Sequence, residues 1–267
     1  ASAAGDLKAA GGKPKHEVDP DRFQKVRSRI LESGVSDQAA LDRSGTEQYQ
    51  ALKWISDWDG AKLSPDDEFL VPRYALAVFF FSTYVAAEVM DETGAEQMYE
   101  PNVVPGKGWK DSTHWMTARG YCSWAGIICH HRKGTDSTNT VYDGNNGVTH
   151  LNLTANNVRG KLPPEMAAFV DLRVLDLGQN GLTGIIPEEI GKLKQLVTLY
   201  LGDNDLSGNI PTQLGQLTSV THLYLDRNIL EGRIPAQVGD MESMHMMGLY
   251  ENYLTGPLPD LSKMKDL

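Results

Sequence analysis

Leu175-Asp176-Leu177-Gly178-Gln179-Asn180-Gly181-Leu182-Thr183-Gly184-Ile185-Ile186-Pro187 returns, with substitutions, as Leu199-Tyr200-Leu201-Gly202-Asp203-Asn204-Asp205-Leu206-Ser207-Gly208-Asn209-Ile210-Pro211. Working outward, the same frame opens at Val148, Leu172, Leu196, Val220 and Met244, and is marked 24 residues apart by Asn156, Asn180, Asn204, Asn228 and Asn252. So strict a period is the mark of a solenoid of stacked coils. Within each coil the L-x-L alternation makes a short strand, its leucines turned inward and the residues between them turned to solvent. The Asn amide has donors and an acceptor to satisfy backbone groups where the strand turns, and stacked copies form a ladder. No coil is stable alone. Each inward leucine contributes roughly 1.5–3 kcal/mol when fully buried, while ordering costs about 1–2 kcal/mol per residue, so stability needs neighbours on both sides.

The extension Leu182-Thr183-Gly184-Ile185-Ile186-Pro187-Glu188-Glu189-Ile190-Gly191-Lys192-Leu193 resembles the plant-type leucine-rich repeat of receptor-like kinases and polygalacturonase-inhibiting proteins. That resemblance implies an α/β solenoid over residues 148–267, preceded by a helical N-terminal cap. Cys122-Ser123-Trp124-Ala125-Gly126-Ile127-Ile128-Cys129 resembles the end of such a cap. Arg73-Tyr74-Ala75-Leu76-Ala77-Val78-Phe79-Phe80-Phe81-Ser82-Thr83 resembles the helix before the cap in leucine-rich-repeat proteins of diatoms and related algae. The chain departs from the plant pattern in a longer N-terminal region and in having no kinase segment.

Cys122 and Cys129, the only cysteines, are either two buried thiols in a reducing compartment or a disulfide. With Trp124 and Gly126 between them, the cap resemblance favours the disulfide, which would pin the first coil by roughly 2.5 kcal/mol. It would also place the chain in an oxidising compartment: secreted, extracellular or at the cell surface, with an organelle lumen as the alternative. Asn152-Leu153-Thr154 is the one N-x-S/T sequon, so in a secreted protein Asn152 is a candidate glycan carrier. A net charge of -10, with neither half basic, argues against nucleic acid or an anionic membrane as partner. The longest apolar run, Tyr74 to Ala87, is shorter than the roughly 20 residues of a membrane span.

Three units are expected. Residues 1–20 read as a flexible arm. Residues 21–147 read as the helical cap region, ending in the Cys122/Cys129 hairpin and a polar loop from Lys133 to Gly147. Its helices are expected over Asp21–Ser33, with Phe23, Val26, Ile30 and Leu31 on one side, over Thr46–Trp58, and over Val71–Met90, followed by an irregular stretch over 91–114. Residues 148–267 are the five repeats. After Pro259 the apolar residues Leu261, Met264 and Leu267 come one place early, and the array is expected to continue past Leu267.

Catalytic patterns are weak. Gly11-Gly12-Lys13 lacks the Ser or Thr and the preceding strand of a phosphate loop. His130-His131 has no zinc spacing, and Asp66-Asp67-Glu68 reads as an acidic helix start. No enzyme, cofactor or metal is expected. The outward strand positions are more informative, because coils stacked about 4.7–4.9 Å apart make Tyr200 and Tyr224 neighbours. Asp176, Asp203, His222, Asp226, Arg227 and Tyr250 join them on the expected concave surface. Tyr and Arg beside small residues have the composition of a binding hot spot for a protein, peptide or polysaccharide. The expected function is therefore a recognition module of receptor, adhesion or defence type; a structural scaffold subunit, held by its arm and cap, is the alternative.

Overall fold

The computed structural model describes residues 19–83, 108–129 and 147–267. Among these residues four α-helices come first: α1 Pro20–Ser33, α2 Gln38–Asp42, α3 Glu47–Lys53 and α4 Leu70–Thr83. Asp19 caps α1 by accepting from the backbone N–H groups of Asp21 and Arg22 at 3.0 and 3.2 Å, Pro20 opens it, and Gly34 closes it at φ 66°. The helix thus begins one residue inside the stretch expected to be an arm. The expected helix over Thr46–Trp58 is capped by Thr46, but its second half, Trp54–Trp58, is wound as a π-helix that buries Trp54, Ile55, Ser56 and Asp57. α2, which the sequence analysis did not anticipate, is started by the Asp37 side chain. α4 is buried nearly throughout, including Arg73 and the run Tyr74–Phe80. The expected continuation of this helix to Met90, the His130-His131 pair, residues 1–18 and most of the two loops lie outside the described residues.

Eleven short strands follow among the described residues. β1 Ile127–Cys129 and β2 Val148–Asn152 pair antiparallel, with Ile127 opposite Leu151. β2 then begins a parallel run through β4 Val174–Asp176, β6 Thr198–Tyr200, β8 His222–Tyr224 and β10 Met246–Gly248. The register sets Leu175 beside Leu199, Leu199 beside Leu223, and Tyr200 beside Tyr224. A second sheet, which the sequence analysis had not separated, is made by the residues after each Asn: β3 Arg159–Lys161, β5 Gly181–Gly184, β7 Asp205–Asn209, β9 Ile229–Arg233 and β11 Tyr253–Thr255. Its glycines bend the chain at positive φ, from 72° at Gly208 to 105° at Gly160. A short 3₁₀ turn completes each of the first four coils, such as Glu188–Lys192 and Thr212–Gln216.

The core lies between these layers. Leu151, Leu175, Leu199 and Leu223 are at most 1% exposed, and Leu182, Leu206 and Leu230 meet them from the second sheet at 0%. The Asn ladder runs beside it. Asn180 donates to the carbonyls of Leu153, Leu177 and Gly178 at 2.9–3.0 Å and accepts from the N–H groups of Asn156 and Val158. Asn204 and Asn228 repeat the three donations in the next two coils and accept from the Leu182 and Leu206 N–H groups.

The helical region closes directly on the first coil. Asn156 both donates to the Asp111 carbonyl and accepts from the Asp111 N–H, so the ladder passes into the N-terminal region without a break. Trp109 donates to the Thr83 carbonyl at 3.2 Å, and its ring sits in a cluster with Phe79, Phe80 and Trp115. A Cβ added to Gly160 would collide with the Ser82 carbonyl, so only glycine lets β3 approach the end of α4 this closely. Beside it Glu165, 1% exposed, accepts from the Ser36 hydroxyl at 2.6 Å, and Ser36 exchanges a second hydrogen bond with Tyr74 at 2.9 Å.

Burial pushes the Glu165 carboxyl above its ordinary 4.5, against the opposing pull of the Ser36 hydrogen bond. The folded state therefore holds this proton more tightly than the unfolded chain. Its contribution to stability is full below pH 4.5 and is lost as the pH rises through the raised folded-state value. Glu165→Gln should flatten that part of the pH profile, as read by urea unfolding from pH 4 upward.

Candidate functional site

The solvent-facing side of the first sheet, expected to be the concave face, is built by the positions between the inward leucines. Tyr200 and Tyr224 meet with ring centroids 5.1 Å apart and planes at 78°, an edge-to-face pair. Glycines make room for both rings. A Cβ on Gly178 would stand 2.6 Å from the Tyr200 ring, one on Gly202 3.1 Å from its other edge, and one on Gly248 3.1 Å from Tyr224. The rings settle into the space the glycines leave, and both tyrosines stay part-exposed, with ring carbon as well as hydroxyls in reach of a partner. Tyr224 also contacts the Met246 sulfur at 3.4 Å, and His222 lies 6.4 Å from its ring. His222 is oriented by Thr221, whose hydroxyl is 2.8 Å from Nδ1, and it stacks near-parallel with His245 at 6.3 Å.

A charged group adjoins the tyrosines. Arg227 pairs with Glu251 at 3.0 Å and Asp203 at 3.5 Å, and its guanidinium lies over the Tyr250 ring at 5.4 Å. Asp203, Arg227 and Glu251 occupy the position before each Asn, where the backbone takes a left-handed φ of 51–55°. That geometry turns their side chains along the row of coils and brings the three together. Burial, then Asp203, Asp226 and Asp176, raise the pKa of Tyr200 against the opposing charge of Arg227. The field over this part of the face is negative. Asp176 stands apart from the ion pairs and accepts from the Gly178 N–H at 3.2 Å.

One sequence expectation needs correction. Asp226, placed among the solvent-facing residues, is only 3% exposed. It sits in the column of Gly178 and Gly202, and the space beside Gly202 and Gly248 takes its carboxyl in against the sheet. Sequence reasoning also passed over two exposed apolar residues in the last two coils, Ile229 at 45% and Tyr253 at 69%. A signal was present, since the position after Asn is Asn157, Gly181 and Asp205 in the first three coils but Ile229 and Tyr253 in the last two.

Cys122 and Cys129 form a disulfide, with Cα atoms 5.6 Å apart. Asn152 is exposed on β2, where its side-chain oxygen accepts from the N–H and hydroxyl of Thr154 at 3.1 and 2.9 Å. Among the described residues no group of three or more His, Cys, Asp or Glu side chains is placed to hold a metal ion. No described helix is long and apolar enough to cross a membrane.

The family described as Leucine rich repeat matches residues 146–206 and 170–230. Through these repeats the chain belongs to the leucine-rich-repeat family. Among solved structures, the BIR3–SERK2 complex from Arabidopsis thaliana is similar at 31% identity, covering 55% of this chain and 72% of that one, with a TM-score of 0.47. The BIR2 ectodomain of the same plant is similar at 32% identity over 52% and 67% of the two chains, with a TM-score of 0.46. A plant ice-binding protein is similar at 33% identity over 53% and 42%, with a TM-score of 0.45. No curated protein matches the chain.

Proposed function

We propose that this protein is a non-enzymatic recognition module that binds a protein or peptide partner on the concave face of its third to fifth repeats. The observation that carries this reading is the Tyr200–Tyr224 pair, spread over Gly178, Gly202 and Gly248 beside the Arg227–Tyr250 stack. Large, rigid aromatic surface with a polar edge loses little side-chain entropy on binding and dominates interface energetics. The disulfide supports an extracellular or lumenal setting. We further read the helical region as the N-terminal cap of a 24-residue repeat array, its last described helix being the part that resembles algal relatives.

The probe is a display library of random peptides selected on the folded protein. Peptides enriched on the native chain should bind about 30-fold more weakly, or worse, to the double variant Tyr200→Ala, Tyr224→Ala, since hot-spot truncations cost about 2 kcal/mol or more. Unchanged affinity would remove this patch as the binding site. Asn152 is proposed to carry a glycan on the first coil, leaving recognition to the later coils. Intact mass before and after glycosidase treatment of material secreted from eukaryotic cells should show the loss; an unmodified mass would refute occupancy.

A further inference from the structure

The most anomalous group on the concave face is the Asp226 carboxyl. It is 3% exposed, and among the described residues its Oδ1 has no hydrogen-bond partner. A buried acidic oxygen without a partner is costly, and the same column holds the small residues Gly178 and Gly202 in the two preceding coils. The position therefore departs from its own repeat in a direction that packing alone disfavours. Its surroundings are aromatic. Oδ1 stands 3.1 Å from where a Cβ on Gly202 would be and 2.8 Å from one on Gly248, in the gaps beside Tyr200 and Tyr224. On the far side is Tyr250, whose pKa is raised first by its side-chain hydrogen bond to Asp226.

The nearby guanidinium does not meet this need. Arg227 is engaged by Glu251 at 3.0 Å and Asp203 at 3.5 Å. Counting the candidate surface, Asp176, Asp203, Asp226 and Glu251 face one Arg, so the excess charge is negative, in keeping with the chain's -10. Tyr250, 56% exposed, is the ring with room to swing and uncover the carboxyl.

We propose that Asp226, with the rings of Tyr200 and Tyr250, receives a basic side chain, a guanidinium by preference, carried on an extended peptide segment of the partner. A guanidinium suits the site twice over: its edge forks onto a carboxylate and its face stacks on a tyrosine, as that of Arg227 already does on Tyr250. The inference rests on the concave-face reading and adds to it the chemistry of the residue that is read.

The experiment uses the same library selection on the full chain. Peptides enriched on the native protein are expected to carry Arg or Lys, and replacing that Arg by citrulline, its neutral isostere, should weaken binding about tenfold. Asp226→Asn should abolish the citrulline penalty, whereas Glu231→Gln, which neutralises an exposed carboxyl on the second sheet of the same coil, should leave it intact. Asp226→Gly is the second variant, because Gly178 and Gly202 show that the column accepts glycine; it secures the comparison if the Asn protein does not fold. Peptides that depend on Tyr200 and Tyr224 but carry no basic residue, or a citrulline penalty that persists without Asp226 or falls equally with Glu231→Gln, would overturn the cation site and leave the concave face as a binding surface. No enrichment, or enrichment indifferent to the tyrosines, would overturn both.

Discussion

Arg73→Met is expected to lower the unfolding free energy by about 3–5 kcal/mol, the cost of leaving the other half of a buried ion pair uncompensated. Both side chains of the Arg73–Asp59 pair are 0% exposed, and two bonds of 2.6 Å join Nε to Oδ2 and Nη2 to Oδ1. Arg73 also donates to the carbonyls of Thr117 and Arg119 at 2.7 and 3.0 Å, and its guanidinium lies over both the Trp54 and Trp124 rings, 5.3 and 5.0 Å from their centroids. One residue of α4 thus ties together the π-helix, Asp59, the segment before the disulfide and the tryptophan inside it. The double variant Arg73→Met, Asp59→Asn should be less destabilised than the two single changes summed, because the second substitution removes the stranded charge. Urea unfolding of all four proteins closes the cycle; strict additivity would show that the two side chains do not act as a pair.

Asn204→Ala is expected to cost about 2–4 kcal/mol, since each buried backbone group left unsatisfied is worth roughly 1–3 kcal/mol. The amide donates to Leu177, Leu201 and Gly202 at 3.0–3.2 Å and accepts from the Leu182 N–H at 2.9 Å, all inside the stack. Asn252→Ala is the control. It removes the same kind of bonds in the fifth coil, where the amide is only part-buried and water reaches the Tyr250 carbonyl, so the loss should be about 1 kcal/mol. Equal losses at the two positions, measured by urea unfolding, would mean that burial does not set the strength of the ladder.

The repeats were legible because their physics is local and recurrent. Leu175, Leu199 and Leu223 are apolar at one position because each must enter the same core, and Asn180, Asn204 and Asn228 recur because each coil must close the same turn. From that regularity the neighbouring of Tyr200 and Tyr224 follows by arithmetic. Asp226 was not legible. Its column was rightly placed, but whether a side chain there stands out or folds in depends on the glycines at 202 and 248 in adjoining coils. The Arg73–Asp59 pair and the Ser36–Glu165 bond were likewise hidden, as they join residues 14 and 129 positions apart with no recurring pattern to mark them.

The sequence by itself determined that the second half of the chain is a stack of like coils and which side of each coil faces the core, because a 24-residue recurrence of apolar and Asn positions admits one periodic burial. Tertiary structure alone decided how that stack is closed at its first coil and which outward residues act together. Those outcomes depend on contacts between unlike segments, Asp111 with Asn156, Ser36 with Glu165, Arg227 with Asp203 and Glu251, whose distance in space no periodicity encodes.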